Sequence, residues 1–353
     1  MKKRMIGLAL LIVIMLVIGG IYMAIGRAPQ IITVDGYVGG EKIELLEDEE
    51  VQAILEEDYG VKADYSRAGS LDMMTADMDG MDYLFPSSSI AEEYYEDLHG
   101  SPEQSEIVLN TPIVLYTHQA VLDAFDSQGL ITSSGNSYYI DMTKLVELIR
   151  NDTSWADIGL PELYGNISVD TTDPARSNSG NMFAALLANV LNGGQTLTQE
   201  NLQTILPQLQ DIFGKLGYME TSSSDLFSQF LRMGIGAKPV IAGYESQLIE
   251  YAALYPDQYE TMKDDIVMLY PTPTVWSTHV FIALDADGQV LLNGLLDEDI
   301  QRLAWEKHGF RTGNYTTVSE SGSLNAQGVA DTITQVTQVP SYDVMKEIIE
   351  QLQ

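Results

Sequence analysis

Beyond residue 30 the chain alternates short apolar runs with longer stretches of helical spacing. Residues 31–34 (IITV) form the first run and read as a buried strand, ended by Asp35 and Gly36. Residues 48–57 space their apolar positions like a helix, and Gly60 supplies a left-handed stop. Residues 61–65 and 81–85 (MDYLF) are two further strands, the second closed by Pro86 and the serines 87–89. Ser89 and Glu92 have capping-box spacing for a helix over 90–98. This order of strand, loop and helix predicts an α/β fold with a mainly parallel sheet and helices on its faces.

Residues 107–117 (IVLNTPIVLYT) stay extended for an unusually long stretch. Helices are then predicted near 142–149, 181–191, 199–216 and 224–233, strands at 167–170 and 239–242, and a helix over 245–254. A second long extended run, 266–284, is interrupted by Pro271 and Pro273, and helices over 297–307 and 342–352 follow. Residues 313–328, rich in Ser, Thr, Asn and Gly, read as a surface loop. Two long runs around a middle segment imply that the chain leaves one lobe, builds another and returns, with the two runs as a hinge. The expected division is a segment 1–28, lobe one over 29–115, lobe two over 116–267 and a return to lobe one over 268–353. A small ligand is expected in the cleft between them.

The first residues differ in kind. Lys2, Lys3 and Arg4 precede an apolar run over 5–25, about the ~20 residues that cross a bilayer. The positive flank stays inside, which places the remainder outside the cell. The length of the run, and Pro29 behind a Gly26-Arg27-Ala28 cleavage pattern, favour an uncleaved single-pass membrane anchor over a signal peptide. The 51 acidic against 18 basic residues give a net charge of −33, so the surface repels nucleic acid and suits an extracellular setting. The chain has no cysteine, which excludes disulfides, thiolate metal sites, thiol catalysis and a lipidated cysteine.

Three small, polar loops follow strands and precede helices, as ligand loops do at the carboxyl ends of strands. The first is 36–40, with Tyr37, Gly39 and Gly40; it is either a flexible turn or a place where backbone approaches a ligand. The second contains Ser87 and Ser88, a cap or a pair of hydroxyl donors. The third is Asp173-Pro174-Ala175-Arg176-Ser177-Asn178-Ser179-Gly180-Asn181 before an apolar helix. There Arg176, Ser177, Ser179, Gly180 and Asn181 offer an anion site on a helix N-terminus, with Ser179 as N-cap being the plainer alternative. Tyr244 and Glu245 follow a strand, and Glu245 either meets a ligand donor or holds Arg176. Thr272, Thr274 and Trp276 are placed on the hinge side of the cleft. His118 and His279 lie on the two long runs as potential neighbours, but no metal-ligand spacing, nucleophile elbow or catalytic triad is present. No cofactor, metal or catalytic residue is expected.

Segments 82–89 (DYLFPSSS), Asp173-Pro174 through Asn181, 239–245 (PVIAGYE) and His308-Gly309-Phe310-Arg311 occur in an order that resembles the type II periplasmic-binding-protein superfamily. The likeness is to bacterial extracellular solute-binding proteins near the molybdate, sulfate and iron(III) binders. It implies two lobes, a two-strand hinge and closure on a ligand without chemistry on it. It further implies hydroxyls and helix amides as anion donors, at Ser87, Ser88, Ser179, Gly180 and Asn181, and a structural role for Arg311. The chain departs from the pattern in lacking a lipidated cysteine, for which an uncleaved helix substitutes, and in having Tyr37-Val38-Gly39-Gly40 where oxyanion binders have hydroxyls. The resulting expectation is a membrane-anchored protein capturing a small oxyanion or other polar solute for an ABC permease. The alternative is a tethered receptor or accessory module of a membrane complex.

Overall fold

The computed structural model describes residues 31–313 and 324–352. The expected anchor in segment 1–28 and most of the expected loop lie outside them. Among the described residues no helix is long and apolar enough to cross a membrane.

The strands are β1 (Ile32–Val38), β2 (Val61–Arg67), β3 (Tyr83–Phe85), β4 (Gln104–His118), β5 (Ile131–Ser134), β6 (Ser137–Asp141), β7 (Val240–Tyr244), β8 (Ile266–Thr272) and β9 (Trp276–Ala283). They run in the order β2-β1-β3-β9-β4-β8-β6-β5, with β7 also on β4. β1 alternates buried Val34 and Val38 with more exposed neighbours, the period-two pattern of a sheet covered on one face. Helices α1 (Ile43–Glu47), α2 (Glu49–Ile54), α3 (Ser89–His99), α4 (Gln119–Ser127), α5 (Met142–Arg150), α6 (Asn178–Leu191), α7 (Gln199–Gly214), α8 (Ser223–Met233), α9 (Glu245–Leu254), α10 (Pro256–Met262), α11 (Ala286–Leu295), α12 (Glu298–Glu306) and α13 (Tyr342–Leu352) cover the sheet. Their starts follow from sequence: the Asp48 carboxylate accepts from the Glu50 and Val51 amides, and the Asp141 carboxylate from Thr143 and Lys144. Gly60, at φ 66°, ends the helical stretch after α2 as its position predicts.

β4 belongs to both halves of the sheet. Up to Pro112 it pairs with β9; from Ile113 it pairs with β7 and β8. The chain returns between the halves over 272–276, where the Ile113 amide donates to the Val275 carbonyl (3.0 Å). Two further segments flank this crossing. Asn110 and Arg311 exchange backbone bonds of 2.7 and 2.8 Å, and Thr274 is bonded on both sides to Gln335 and Thr337.

Lobe one has its core under β1 and β9, with Val34, Val38, Phe85, Phe281 and Leu291 fully buried. Lobe two is built around α6, whose residues from Ser179 to Val190 are all buried. Each such Leu or Phe contributes about 1.5–3 kcal/mol by leaving water. α13 inserts Val344, Met345 and Ile348 into this second core, so the last helix does not follow the return to lobe one expected for 268–353.

The sheet is mixed. β1–β2, β1–β3 and β6–β8 are parallel, but β4 is antiparallel to β7, β8 and β9. The cause is the crossing itself, since a chain that leaves a lobe and returns runs in opposite directions on the two passes. Residues 167–170 make an isolated bridge, Asp170 to Ile241, in place of a full strand.

Candidate functional site

The 3-10 turn Gly40–Lys42 follows β1 and carries the most unusual residue of the cleft region. The Lys42 side chain is fully buried. Its Nζ donates to Glu41 Oε1 (2.5 Å) and Ser87 Oγ (2.7 Å), stands 3.2 Å from His279 Nδ1, and lies 4.9 Å from the centre of the Phe85 ring. The Ser87 hydroxyl also donates to the Glu41 carboxylate. Burial raises the Glu41 carboxyl, but the Lys42 charge beside it, with the bonds from Lys42 and Ser87, holds it down at about 2. Burial, aided by the Lys42 charge, pushes His279 well below the ordinary imidazole range, so the ring is neutral beside the ammonium.

Lobe two meets this cluster through the start of α6. Asn178 Nδ2 donates to the Ser87 carbonyl (2.8 Å) and lies 3.1 Å from Tyr244 Oη and 3.2 Å from Ser277 Oγ. The Ser277 hydroxyl donates to the same Ser87 carbonyl (2.7 Å). Arg67, at the end of β2, reaches across to the Ser222 hydroxyl (2.7 Å) at the start of α8. Above these contacts lies a cavity of about 390 Å³ between the lobes. Lobe one lines it with Gly39, Gly40, Glu41, Arg67 and Asp72, and lobe two with Arg176, Ser177, Asn178, Ser222 and Asp225. A narrower recess beside it, between Gly69–Asp72 and Pro174–Asn178, is also lined by Asn181. Asn181 is 3% exposed, and among the described residues its amide nitrogen has no hydrogen-bond partner. Arg176 forms no ion pair among the described residues. Two guanidinium groups and the N-termini of α6 and α8 meet the carboxylates of Glu41, Asp72 and Asp225 in one cleft, and the unmatched Asn181 amide lines the recess beside it; the guanidinium and amide donors are the groups that would hold an anion.

The expected site residues divide in the structure. Gly39, Gly40, Arg176 and Ser177 line the cleft, Asn181 lines the recess, and Ser87 and Tyr244 sit in the buried network beneath. Ser88 is spent as the N-cap of α3, accepting from the Ile90 amide (3.1 Å); the capping residue is thus Ser88 and not Ser89. Ser177, and not Ser179, is the residue before α6, and Ser179 Oγ bonds to Thr172 Oγ1 (2.7 Å). A Cβ at Gly180 would lie 2.1 Å from the Thr172 carbonyl oxygen, so this glycine permits close packing.

Three expected site residues lie elsewhere. The Tyr37 hydroxyl donates to the Asp77 carbonyl (3.0 Å), outside the cleft lining. Thr272 donates to the Ile140 carbonyl (2.9 Å) on lobe two, because its strand pairs there with β6. Glu245 is fully buried and bidentate on Arg311 (2.7 and 2.8 Å), with Tyr270 as a third donor, so it does not hold Arg176. His118 and His279 stand apart; His118 bonds to Asp265 (2.8 Å) in lobe two, and no metal-ligand cluster occurs among the described residues. Sequence reading missed Glu41, Lys42, Arg67, Ser222 and Ser277, did not single out Asn178 within its loop, and weighed His279 only as a neighbour of His118. Positions after β1 and β2 and at helix starts were the available signal for Glu41, Lys42, Arg67, Asn178 and Ser222, whereas Ser277 and His279 lie within β9.

No family model and no curated protein matches the chain. Solved structures do. The sulfate-binding protein SubI from Mycobacterium tuberculosis H37Rv superposes with a TM-score of 0.57 at 14% identity, over 87% of this chain and 93% of that one. The substrate-binding protein of an ABC transporter from Agrobacterium tumefaciens gives 0.57 at 13% identity, over 91% and 94%. A two-component-system protein that mediates signal transduction gives 0.54 at 12% identity, over 91% and 100%. At such identities the likeness is one of fold alone: the chain shares the fold of these solute-binding structures.

Proposed function

We propose that this protein is a solute-binding protein, held at the outer face of the membrane by its apolar N-terminal segment, which captures a small anion between its lobes for an ABC-type importer. It binds its ligand without chemical change. The supporting observation is the interlobe cleft of about 390 Å³ in which Arg67, Arg176 and the serines at two helix starts meet, with Asn181 lining the adjoining recess. Donors from both lobes reach a bound anion together only when the lobes are shut, so ligand binding and closure are one equilibrium. The similar sulfate-binding and ABC-transporter proteins support the ligand class and the transport role.

Titration calorimetry on the full-length chain in detergent, with sulfate, phosphate and molybdate, tests this. Arg176→Ala is expected to weaken the best binder by about tenfold or more, the loss of one charge-assisted contact. Equal affinity in the variant would remove Arg176 from the site.

A second reading is favoured by the direct bonds Arg67–Ser222 and Asn178–Ser87, which tie the lobes through protein groups alone. A permanently shut module of this kind would act as a tethered receptor or assembly partner, a role compatible with the signal-transduction protein of similar fold.

A further inference from the structure

Glu41 and Asn178 belong both to the cleft lining and to the buried network below it. Beneath Glu41 the Lys42 ammonium, the Ser87 hydroxyl and the His279 ring converge, all fully buried. An ammonium and a hydroxyl aimed at one carboxylate are the donor set that also holds a tetrahedral oxyanion. The Glu41 side chain is 10% exposed, the Lys42 side chain not at all, so the carboxylate stands between the ammonium and the cleft. The two charges sum to zero. The pocket floor therefore attracts no anion while Glu41 is in place.

We propose that Glu41 is a resident carboxylate ligand of an inner anion site formed by Lys42 and Ser87, and that an oxyanion entering the cleft binds there by displacing it. The proposal deepens the capture reading and rests on it for the route of entry. It adds a site that extends below Arg67 and Arg176, and an internal competitor that sets the affinity. A bound dianion reaches the Lys42 ammonium only after Glu41 swings out of the floor toward the cleft mouth. The Lys42 charge is matched in both arrangements, by Glu41 in one and by the anion in the other, which makes the exchange feasible in a buried place.

The test uses the full-length chain in detergent, with sulfate as the probe and chloride at matched ionic strength as the control. Glu41→Gln removes the resident competitor, so that the entering anion takes over from Glu41 the task of holding Lys42 charged against burial, and is expected to tighten sulfate binding by about tenfold or more, since a like charge beside a bound anion is strongly unfavourable. Glu41→Gln combined with Lys42→Met is expected to abolish that gain. Should Glu41→Gln fold poorly because Lys42 is uncompensated, the proposal requires sulfate, and not chloride, to restore folding. Unchanged affinity in Glu41→Gln overturns the proposal, as does a gain that survives in the double variant or a folding defect that sulfate does not relieve. These outcomes are separable from the capture reading. Arg176-dependent binding with no response to Glu41 keeps capture and rejects the inner site. Binding that arises only in Glu41→Gln means that the carboxylate is not displaced in the natural chain and overturns both readings.

Discussion

Gly180 shows how finely the α6 start is fitted. The Thr172 carbonyl sits where its side chain would be, so Gly180→Ala must push backbone against backbone. The variant is expected to lose about 1–3 kcal/mol in a urea unfolding curve, the range for overpacking; a loss below about 0.5 kcal/mol would contradict this packing role. In sequence the same glycine is indistinguishable from one that admits a ligand. Loop chemistry was legible at Arg176, Ser177 and Asn181, because small and polar residues before an apolar helix mark an exposed helix start. The fate of Lys42 was not. Its burial depends on His279, 237 positions away, and a lysine in isolation reads as a solvated charge. Glu245 was misplaced for a similar reason, since its partner Arg311 stands 66 positions further on.

Among the elements, β4 was the clearest from sequence. Its length exposed the crossing, and Pro112 marks where its pairing passes from β9 to β7 and β8. α4 escaped notice, being short and without a capping side chain, and the β5–β6 hairpin was overlooked although Gly135-Asn136 between its strands is a hairpin turn pair. Strand direction was misjudged because local patterning carries no information on which strands later become neighbours. The crossing is clasped by Arg311. Its backbone pairs with Asn110 of β4, while its guanidinium holds Glu245 at the start of α9, one residue from Tyr244 in the buried network. Glu245→Gln removes the carboxylate of a buried bidentate pair, and a cost of about 3–5 kcal/mol is expected by chemical denaturation. A cost under 1 kcal/mol would mean that Arg311 is secured by its other contacts, among them the Ala330 and Asp331 carbonyls.

For the molecule as a whole, the net charge of −33 sets a puzzle for a protein assigned an anionic ligand. At physiological salt the field of scattered carboxylates is screened beyond about 8 Å, whereas the donors in the cleft act at contact distance. The acidity should then slow encounter more than it weakens the bound state. Two lobes joined by crossing strands give that local chemistry a mechanical consequence, because an anion touching Arg67 and Arg176 bridges both. The measurement that bears most directly on this is thermal unfolding of the full-length chain in detergent against sulfate, phosphate, molybdate, tungstate and phosphonates, with neutral sugars and amino acids as contrasts. Capture predicts that one oxyanion class raises the midpoint, by about 2.7 kcal/mol of stability at a hundredfold excess over its dissociation constant. A flat response across the oxyanions would contradict capture and leave the fold serving as a tethered partner module.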